Sequence, residues 1–212
     1  MRVLHLSDVH VDVPLTAMPA SSWLSPKRWL GGANLEFRRR GHFRDARKKL
    51  ILLNDFRREM DVDLVICTGD YTALGTEPEL VAARAAIDPL TTAPSGFVTV
   101  PGNHDVYVGD AVGRFERTFG DLLGTDLPER RVDGPWPIVR IIDDAVAVVA
   151  VSSARPNPQP WRSSGRIPDS QLDALRDVLE ELGSRFVFVI THFAPRLEGG
   201  APGRHAQLLS SS

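Results

Sequence analysis

Carboxylate, amide and imidazole side chains follow several short apolar runs of this sequence. The residues concerned are Asp8, His10, Asp70, Asn103, His104, Asp105 and His192. Their carboxylates offer hard anionic oxygen, the amide offers neutral oxygen, and the imidazoles offer borderline nitrogen. This mixture suits manganese, iron, zinc and similar ions better than calcium or a metal that thiolates select. The residue types therefore predict a metal site.

The spacing of these residues predicts that they share one edge of a sheet. Only one residue separates Asp8 from His10, so both side chains leave the same face of an extended segment. A glycine stands before Asp70 and another before Asn103, which suits sharp turns where the backbone comes close to bound ions. Because the carboxyl ends of parallel strands converge on one crevice, residues that are distant in sequence can meet there.

Short apolar runs alternate with segments of helical periodicity along the chain. The runs predicted as strands are Val3–Leu6, Leu64–Cys67, Phe97–Val100, Ile138–Ile142, Val146–Val151 and Phe186–Ile190. The segments predicted as helices are Phe43–Met60, Glu77–Leu90, Asp110–Leu123 and Asp169–Leu182. This alternation predicts an α/β fold. The fourth and fifth runs, joined across two aspartates, instead predict an antiparallel hairpin. We therefore expect a mixed sheet, or two stacked sheets flanked by helices.

Size and composition limit the classes of protein to which this chain can belong. Its 212 residues suffice for one domain with a sizeable core. The formal net charge of −2 gives no general attraction to nucleic acid or to anionic lipid. No run of about 18 apolar residues occurs, so no membrane span is expected and a cytoplasmic location is the default. The single cysteine, Cys67, lies in an apolar run and is interpreted as a small buried hydrophobe rather than a nucleophile.

Two long segments interrupt the pattern of strands and helices. Residues 14–40 leave directly from the first motif and carry the basic run Arg38–Arg40. One interpretation is a surface excursion with a solvated basic face, and the other is a lid or a substrate-binding loop. Residues 154–168 contain four prolines and are predicted to be a second loop, because proline cannot continue a sheet.

Four motifs occur in the order typical of one enzyme superfamily. Asp8-x-His10, Gly69-Asp70, Gly102-Asn103-His104-Asp105 and His192 resemble the successive signatures of the calcineurin-like metallophosphoesterases. The flanking sequences resemble the bacterial branch that includes cyclic-nucleotide phosphodiesterase-like enzymes. The resemblance covers essentially the whole chain. It implies stacked mixed β-sheets flanked by α-helices and hydrolysis of phosphoric esters by metal-activated water.

The resemblance also implies a dinuclear metal centre. Asp8 and His10 would bind the first ion, Asp70 would bridge both ions, and Asn103 and His192 would bind the second. The two ions would be divalent or trivalent, with manganese, iron or zinc expected. A phosphate ester is the implied substrate, and its preference as diester or monoester rests on the resemblance alone.

The resemblance gives a catalytic role to His104 and leaves two interpretations of Asp105. His104 would face the substrate, stabilise the pentacoordinate phosphate and protonate the leaving oxygen. Asp105 would either orient His104, as a carboxylate fixes a catalytic imidazole, or cap the helix that follows.

The sequence departs from the family pattern after His192. The family pattern ends with a Gly-His-x-His segment that completes both metal shells, and nothing here matches it. His205 lies thirteen residues beyond His192 and is interpreted as part of a loop or helix start rather than as a substitute ligand. We therefore expect residues 1–212 to form a single domain that is incomplete at its C-terminal end, with each ion short of one protein ligand.

Two classes of function remain open at this stage. The first is a metal-dependent phosphoric ester hydrolase, and the near-neutral charge weighs against the subclass of nucleases. The second is a non-catalytic metal-binding or interaction protein, or an inactive fragment of a phosphoesterase that lacks the final histidine ligands. The motifs predict neither the substrate nor the oligomeric state.

Overall fold

Two small sheets carry the fold. The computed structural model describes residues 1–11, 13–34, 45–157, 159 and 164–194. Its strands are β1 (Val3–Leu6), β2 (Leu64–Cys67), β3 (Phe97–Thr99), β4 (Ile138–Ile141), β5 (Val146–Ala150) and β6 (Phe186–Ile190). The first sheet has the order β1-β2-β3 and is parallel throughout. The second has the order β4-β5-β6, in which β4 and β5 are antiparallel and β5 and β6 are parallel.

The helices lie between the strands in sequence. They are α1 (Pro26–Asn34), α2 (Ala46–Glu59), α3 (Glu77–Ile87), α4 (Gly109–Thr118) and α5 (Asp169–Leu182). The backbone after α3 continues as a 3₁₀ turn over Asp88–Thr92. None of the helices in the described part of the chain combines the length and the apolar character that crossing a bilayer requires.

One apolar core joins the two sheets. Every residue of β2 is buried, because both faces of this central strand are covered. Val65 and Val98 of the first sheet belong to the same cluster as Val148 and Ala150 of the second. The position of residues that follow β6 is therefore tied to the position of those that follow β1, β2 and β3.

The structure confirms the predicted α/β class and the hairpin of β4 and β5. It also confirms the end of α5, where Gly183 follows with a φ of 63°. Helix α3 ends at Ile87, three residues before the predicted end, because Pro89 cannot continue the α-helical hydrogen bonding. The predicted start of α2 at Phe43 and the basic run Arg38–Arg40 lie outside the described residues.

The segment 14–40 contains a helix that the sequence analysis did not predict. Helix α1 buries Lys27, Arg28 and Gly32. The Arg28 guanidinium donates hydrogen bonds to the carbonyl oxygens of Leu74 and Gly75 and to both carboxylate oxygens of Asp110. The helix in the described part of this segment is thus packed against the domain through Lys27 and Arg28, whereas the basic run on which the interpretation as a solvated surface excursion depends lies outside the described residues.

Candidate metal centre

The residues predicted for the metal site meet at the carboxyl ends of four strands. Asp8 and His10 follow β1, Asp70 follows β2, Asn103 follows β3, and His192 follows β6. One oxygen or nitrogen from each of Asp8, His10 and Asp70 lies within 4.8 Å of the others. His192 comes from the second sheet, and its Nε2 is 3.1 Å from Asn103 Oδ1.

Asp70 lies at the centre of this group. Its Oδ2 is 3.8 Å from Nε2 of His10, and its Oδ1 is 3.6 Å from Nε2 of His192. His10 Nε2 is also 3.9 Å from Asp8 Oδ1. The two oxygens of one carboxylate therefore face two different donor sets, one with Asp8 and His10 and one with Asn103 and His192.

Backbone carbonyls orient both histidines. Nδ1 of His10 is 2.7 Å from the carbonyl oxygen of Thr72, and Nδ1 of His192 is 2.7 Å from that of Thr68. A carbonyl oxygen only accepts hydrogen bonds, so each Nδ1 carries the proton. Nε2 of each ring is then the nitrogen that faces the carboxylates. This arrangement, in which one ring nitrogen donates to a carbonyl, is the usual one for histidines that bind metal ions.

The electrostatics of the site favour a cation. Burial raises the pKa of Asp70, and burial together with the charge of Asp70 raises the pKa of Asp105 well above its usual range. Burial lowers the pKa of His10, which keeps its ring neutral near pH 7. Among the described residues, the site thus brings buried carboxylates together with imidazoles rather than with lysine or arginine. Its donor set of carboxylate, amide and imidazole fits ions such as manganese, iron or zinc.

The backbone at the site adopts rare conformations. Asp8, His10 and Asp70 have φ angles of 55°, 43° and 59°, in the left-handed region. Gly69 has a φ of 92°, and a Cβ on it would overlap the amide nitrogen of Gly102. A Cβ on Gly102 would in turn overlap Asp70 Oδ1. Both glycines therefore allow two loops to approach each other, so that Asp70 sits directly against the loop that carries Asn103.

His104 stands beside the donor sets and is held from two sides. Its Nδ1 is 2.6 Å from the carbonyl oxygen of Ala73. Its ring stacks on Tyr107, with 5.4 Å between the centroids, and meets the ring of His10 edge-on at 5.1 Å. The carbonyl fixes the tautomer, so the proton of the neutral ring lies on Nδ1 rather than on Nε2.

The contacts of Asp105 differ from both interpretations offered by the sequence. Its side chain is fully buried and accepts hydrogen bonds from the amides of Asp70, Gly102 and Thr72. The partner of Nδ1 of His104 is the Ala73 carbonyl rather than this carboxylate. Asp105 also lies four residues before Gly109, where α4 begins, so it does not cap that helix. Instead it joins the Asp70 loop to the Gly102 loop.

The sequence analysis missed Glu79, which shapes the loop between Asp70 and α3. Glu79 is buried, and its carboxylate accepts hydrogen bonds from the amides of Ala73, Leu74 and Thr76. This loop presents the carbonyls of Thr72 and Ala73 that orient His10 and His104. A threonine followed by a glutamate three residues later is the pattern of a capping box, which could have predicted the contact within Thr76–Glu79.

Comparisons with known proteins bear on this arrangement. A family profile described as calcineurin-like phosphoesterase matches residues 1–209. The chain is also similar to the 3′,5′-cyclic adenosine monophosphate phosphodiesterase CpdA of Pseudomonas aeruginosa, with 30% identity over 140 residues. That alignment covers 66% of this chain and 42% of the length of the curated relative. His205, which the sequence analysis set aside as a ligand, lies outside the described residues.

Proposed function

The chain belongs to the calcineurin-like phosphoesterases, and we propose that it hydrolyses phosphoric esters with a pair of metal ions. Asp8 and His10 would hold one ion, and Asn103 and His192 would hold the other. Asp70 would contact both. The two ions are expected to be manganese, iron or zinc.

One observation carries the proposal of two ions rather than one. Oδ2 of Asp70 faces His10, whereas Oδ1 of the same carboxylate faces His192. A carboxylate that offers a separate oxygen to each of two donor sets is suited to bridge two ions. Ions held in this way supply Lewis acidity, which lowers the pKa of water and neutralises charge on the phosphoryl group.

The residues around the proposed ions would have separate roles. Thr72 and Thr68 carbonyls hold the imidazoles of His10 and His192 in the orientation that binding requires. As an imidazolium, His104 would donate a proton from Nε2 to the leaving oxygen of the ester, while its Nδ1–H stays bonded to the Ala73 carbonyl. Asp105 would keep the loops of Asp70 and Asn103 together.

Phosphodiesters are the proposed substrate class. The relative CpdA is named for hydrolysis of a cyclic phosphodiester. A phosphodiester has a single negative charge and two esterified oxygens. General acid catalysis by His104 would assist the departure of the one that leaves. A 3′,5′-cyclic nucleotide is accordingly the first natural diester to test.

The test compares a diester with its monoester. Bis(p-nitrophenyl) phosphate, p-nitrophenyl phosphate and 3′,5′-cyclic AMP are assayed with metal-stripped protein and after addition of manganese. The variants are Asp70→Asn and the matched control Asp55→Asn, whose carboxylate is exposed on α2. We expect turnover only with metal, a higher kcat/KM for the diester, and a loss of about 100-fold or more in Asp70→Asn alone.

The same experiment separates the open alternatives. A folded protein that binds manganese without turnover of any ester would favour the non-catalytic metal-binding protein. Metal analysis then counts the ions bound by the wild-type protein and by Asp70→Asn. A stoichiometry of one in the wild type would overturn the proposal of a dinuclear centre.

A further inference from the structure

A second cleft, with a mixed polar and apolar lining, lies near the candidate metal centre. It has a volume of about 360 Å³ and lies between the start of α1, the start of α4 and the segment that follows β5. Its lining consists of Ser25, Pro26, Lys27, Val108, Gly109, Pro156 and Asn157. Tyr107 connects this cleft to the centre, because its ring stacks on His104 and lies 4.4 Å from Nζ of Lys27.

Lys27 is a buried cation in the wall of this cleft. The residue is only 7% exposed. Its Nζ donates a hydrogen bond of 2.8 Å to the carbonyl oxygen of Asn157 and lies over the ring of Tyr107. No carboxylate among the described residues forms an ion pair with it. An ammonium group has three hydrogen-bond donors, and the Asn157 carbonyl accepts from one of them. Among the described residues, the positive charge of Lys27 therefore has no negative partner.

The first turn of α4 adds to this positive character. Gly109 is the first residue of the ten-residue helix, and Val108 before it offers no side-chain cap. The N-terminal amides of a helix favour anions. Asp110 in the same turn does not cancel the charge of Lys27, because its carboxylate is paired with Arg28 and Arg114.

Burial without a negative partner is unfavourable for the ammonium group. Removal from water lowers the pKa of Lys27. A buried charge is ordinarily compensated by a counter-charge and by hydrogen bonds. An anion in the cleft would supply both, and it would complete the hydrogen bonding of Lys27.

We propose that this cleft binds a second phosphate group of the substrate, with the Lys27 ammonium and the first turn of α4 as its partners. The inference rests on the proposed function, which it deepens. The proposed substrates are phosphodiesters in which one of the two esterified groups carries a further phosphate. The ring of Tyr107 contacts both positions, since it stacks on His104 and lies 4.4 Å from Nζ of Lys27.

The experiment uses two thymidine esters that differ only in the second phosphate. Thymidine 5′-(p-nitrophenyl phosphate) has the scissile diester alone, and its 3′-phosphorylated form has the additional group. Both are assayed with the manganese-loaded wild-type chain, with Lys27→Met and with Lys27→Arg. Lys48→Met is the matched control, because that lysine is exposed on α2.

The 3′-phosphate should raise kcat/KM of the wild-type protein by about tenfold or more, as expected for a charged hydrogen bond. Lys27→Met should lose this preference, whereas Lys48→Met should keep both the preference and the kcat/KM for the plain ester. Lys27→Arg, which keeps the charge, should retain most of the preference. Equal losses on both esters in folded Lys27→Met would overturn the proposal, as would an absence of preference in the wild type.

A binding measurement separates this inference from the proposed function. Calorimetry compares thymidine 3′,5′-bisphosphate with thymidine 5′-monophosphate on the same proteins. If neither ester is hydrolysed, the proposed function fails. Tighter binding of the bisphosphate that depends on Lys27 would then still support the second phosphate site, and equal affinities would overturn it.

Discussion

The residues at the candidate metal centre adopt conformations that lower local stability. Asp8, His10 and Asp70 occupy the left-handed region, where a residue other than glycine is strained by about 1–3 kcal/mol. Burial also raises the pKa of Asp70, and burial together with the charge of Asp70 raises the pKa of Asp105. Such features persist when the surroundings enforce them. Here the amides of the neighbouring loops do so through Asp105.

Cys67 illustrates a residue close to the site that takes no part in the chemistry. Burial raises the pKa of its thiol to about 12, so almost no thiolate is present at neutral pH. We expect iodoacetamide to label Cys67 rapidly in urea and very slowly in the native protein. Cys67→Ala should keep metal-dependent turnover and lose about 1 kcal/mol of unfolding free energy. Fast labelling of the native protein, or loss of turnover in folded Cys67→Ala, would contradict this assignment.

The positions of the proposed ligands could be predicted from the sequence because these residues follow strands directly. Asp8, Asp70 and Asn103 each follow a parallel strand, so they lie at one edge of the sheet regardless of the conformation of the loops. The orientation of the imidazoles could not be predicted, because it depends on main-chain carbonyls such as those of Thr72 and Thr68. Any residue type can provide such a carbonyl, so its role leaves no trace in composition or spacing.

At the scale of elements, α3 controls the loop that presents these carbonyls. Glu79 is 1% exposed, and its two oxygens accept hydrogen bonds from the amides of Ala73 and Thr76. In Glu79→Gln an amide NH₂ replaces one acceptor and faces backbone donors. We expect a loss of about 1–3 kcal/mol in unfolding free energy, together with a lower kcat. Glu77→Gln, at an exposed position of the same first turn, should change neither quantity.

Urea denaturation and steady-state kinetics check this expectation. A Glu79→Gln variant with wild-type stability would show that the loop does not depend on the buried carboxylate. A variant that is less stable but retains the full kcat would show that the Ala73 and Thr72 carbonyls keep their positions without it.

Helix α1 depends on one arginine. Arg28 is 1% exposed and joins α1 to α4 through Asp110 and to the loop before α3 through the Leu74 and Gly75 carbonyls. Arg28→Met keeps the apolar length of the side chain but removes these hydrogen bonds. We expect faster hydrogen exchange of the α1 amides with little change in the sheets. Arg114→Met, which removes another partner of Asp110 within α4, should leave exchange in α1 unchanged.

The same arginine shows why the sequence did not predict α1. A nine-residue segment with two glycines has weak intrinsic helix preference. Its stability comes from contacts with residues more than forty positions away, such as Leu74 and Asp110. The core strand β2, by contrast, is predictable from the sequence. A strand that is buried on both faces requires an apolar run, regardless of which elements pack against it.

The two sheets together build the centre, since His192 follows β6 whereas the other proposed ligands follow the first sheet. The shared core holds these strand ends in place. Ion binding should therefore stabilise the whole domain rather than one loop. A ligand present at about 100 times its Kd stabilises the folded state by about 2.7 kcal/mol. Manganese should accordingly raise the unfolding free energy of the wild-type protein and leave Asp70→Asn nearly unchanged.

Without metal, we expect the buried carboxylates to make the wild-type protein less stable than Asp70→Asn at neutral pH. Because burial raises the pKa of Asp70 and Asp105, the folded state holds protons to a higher pH than the unfolded chain does. Their contribution to the unfolding free energy is therefore greatest below the unfolded pKa of about 3.9 and is lost as the pH rises through the folded pKa values. His10 acts in the opposite direction. Its lowered pKa reduces stability as the pH falls below about 6.5.

Asp70→Asn isolates the carboxylate contribution from that of His10. Asparagine can still accept the hydrogen bond that the His104 amide donates to Oδ1, but it carries no charge to bury. In chelator at neutral pH, this variant should therefore be more stable than the wild type by about 1 kcal/mol or more. The difference should shrink as the pH falls and the carboxylate of Asp70 in the wild type becomes protonated. Urea denaturation of both proteins across this range measures the difference directly. A variant that is less stable than the wild type at every pH would mean that Asp70 stabilises the metal-free fold, and its burial would then need another explanation than ion binding.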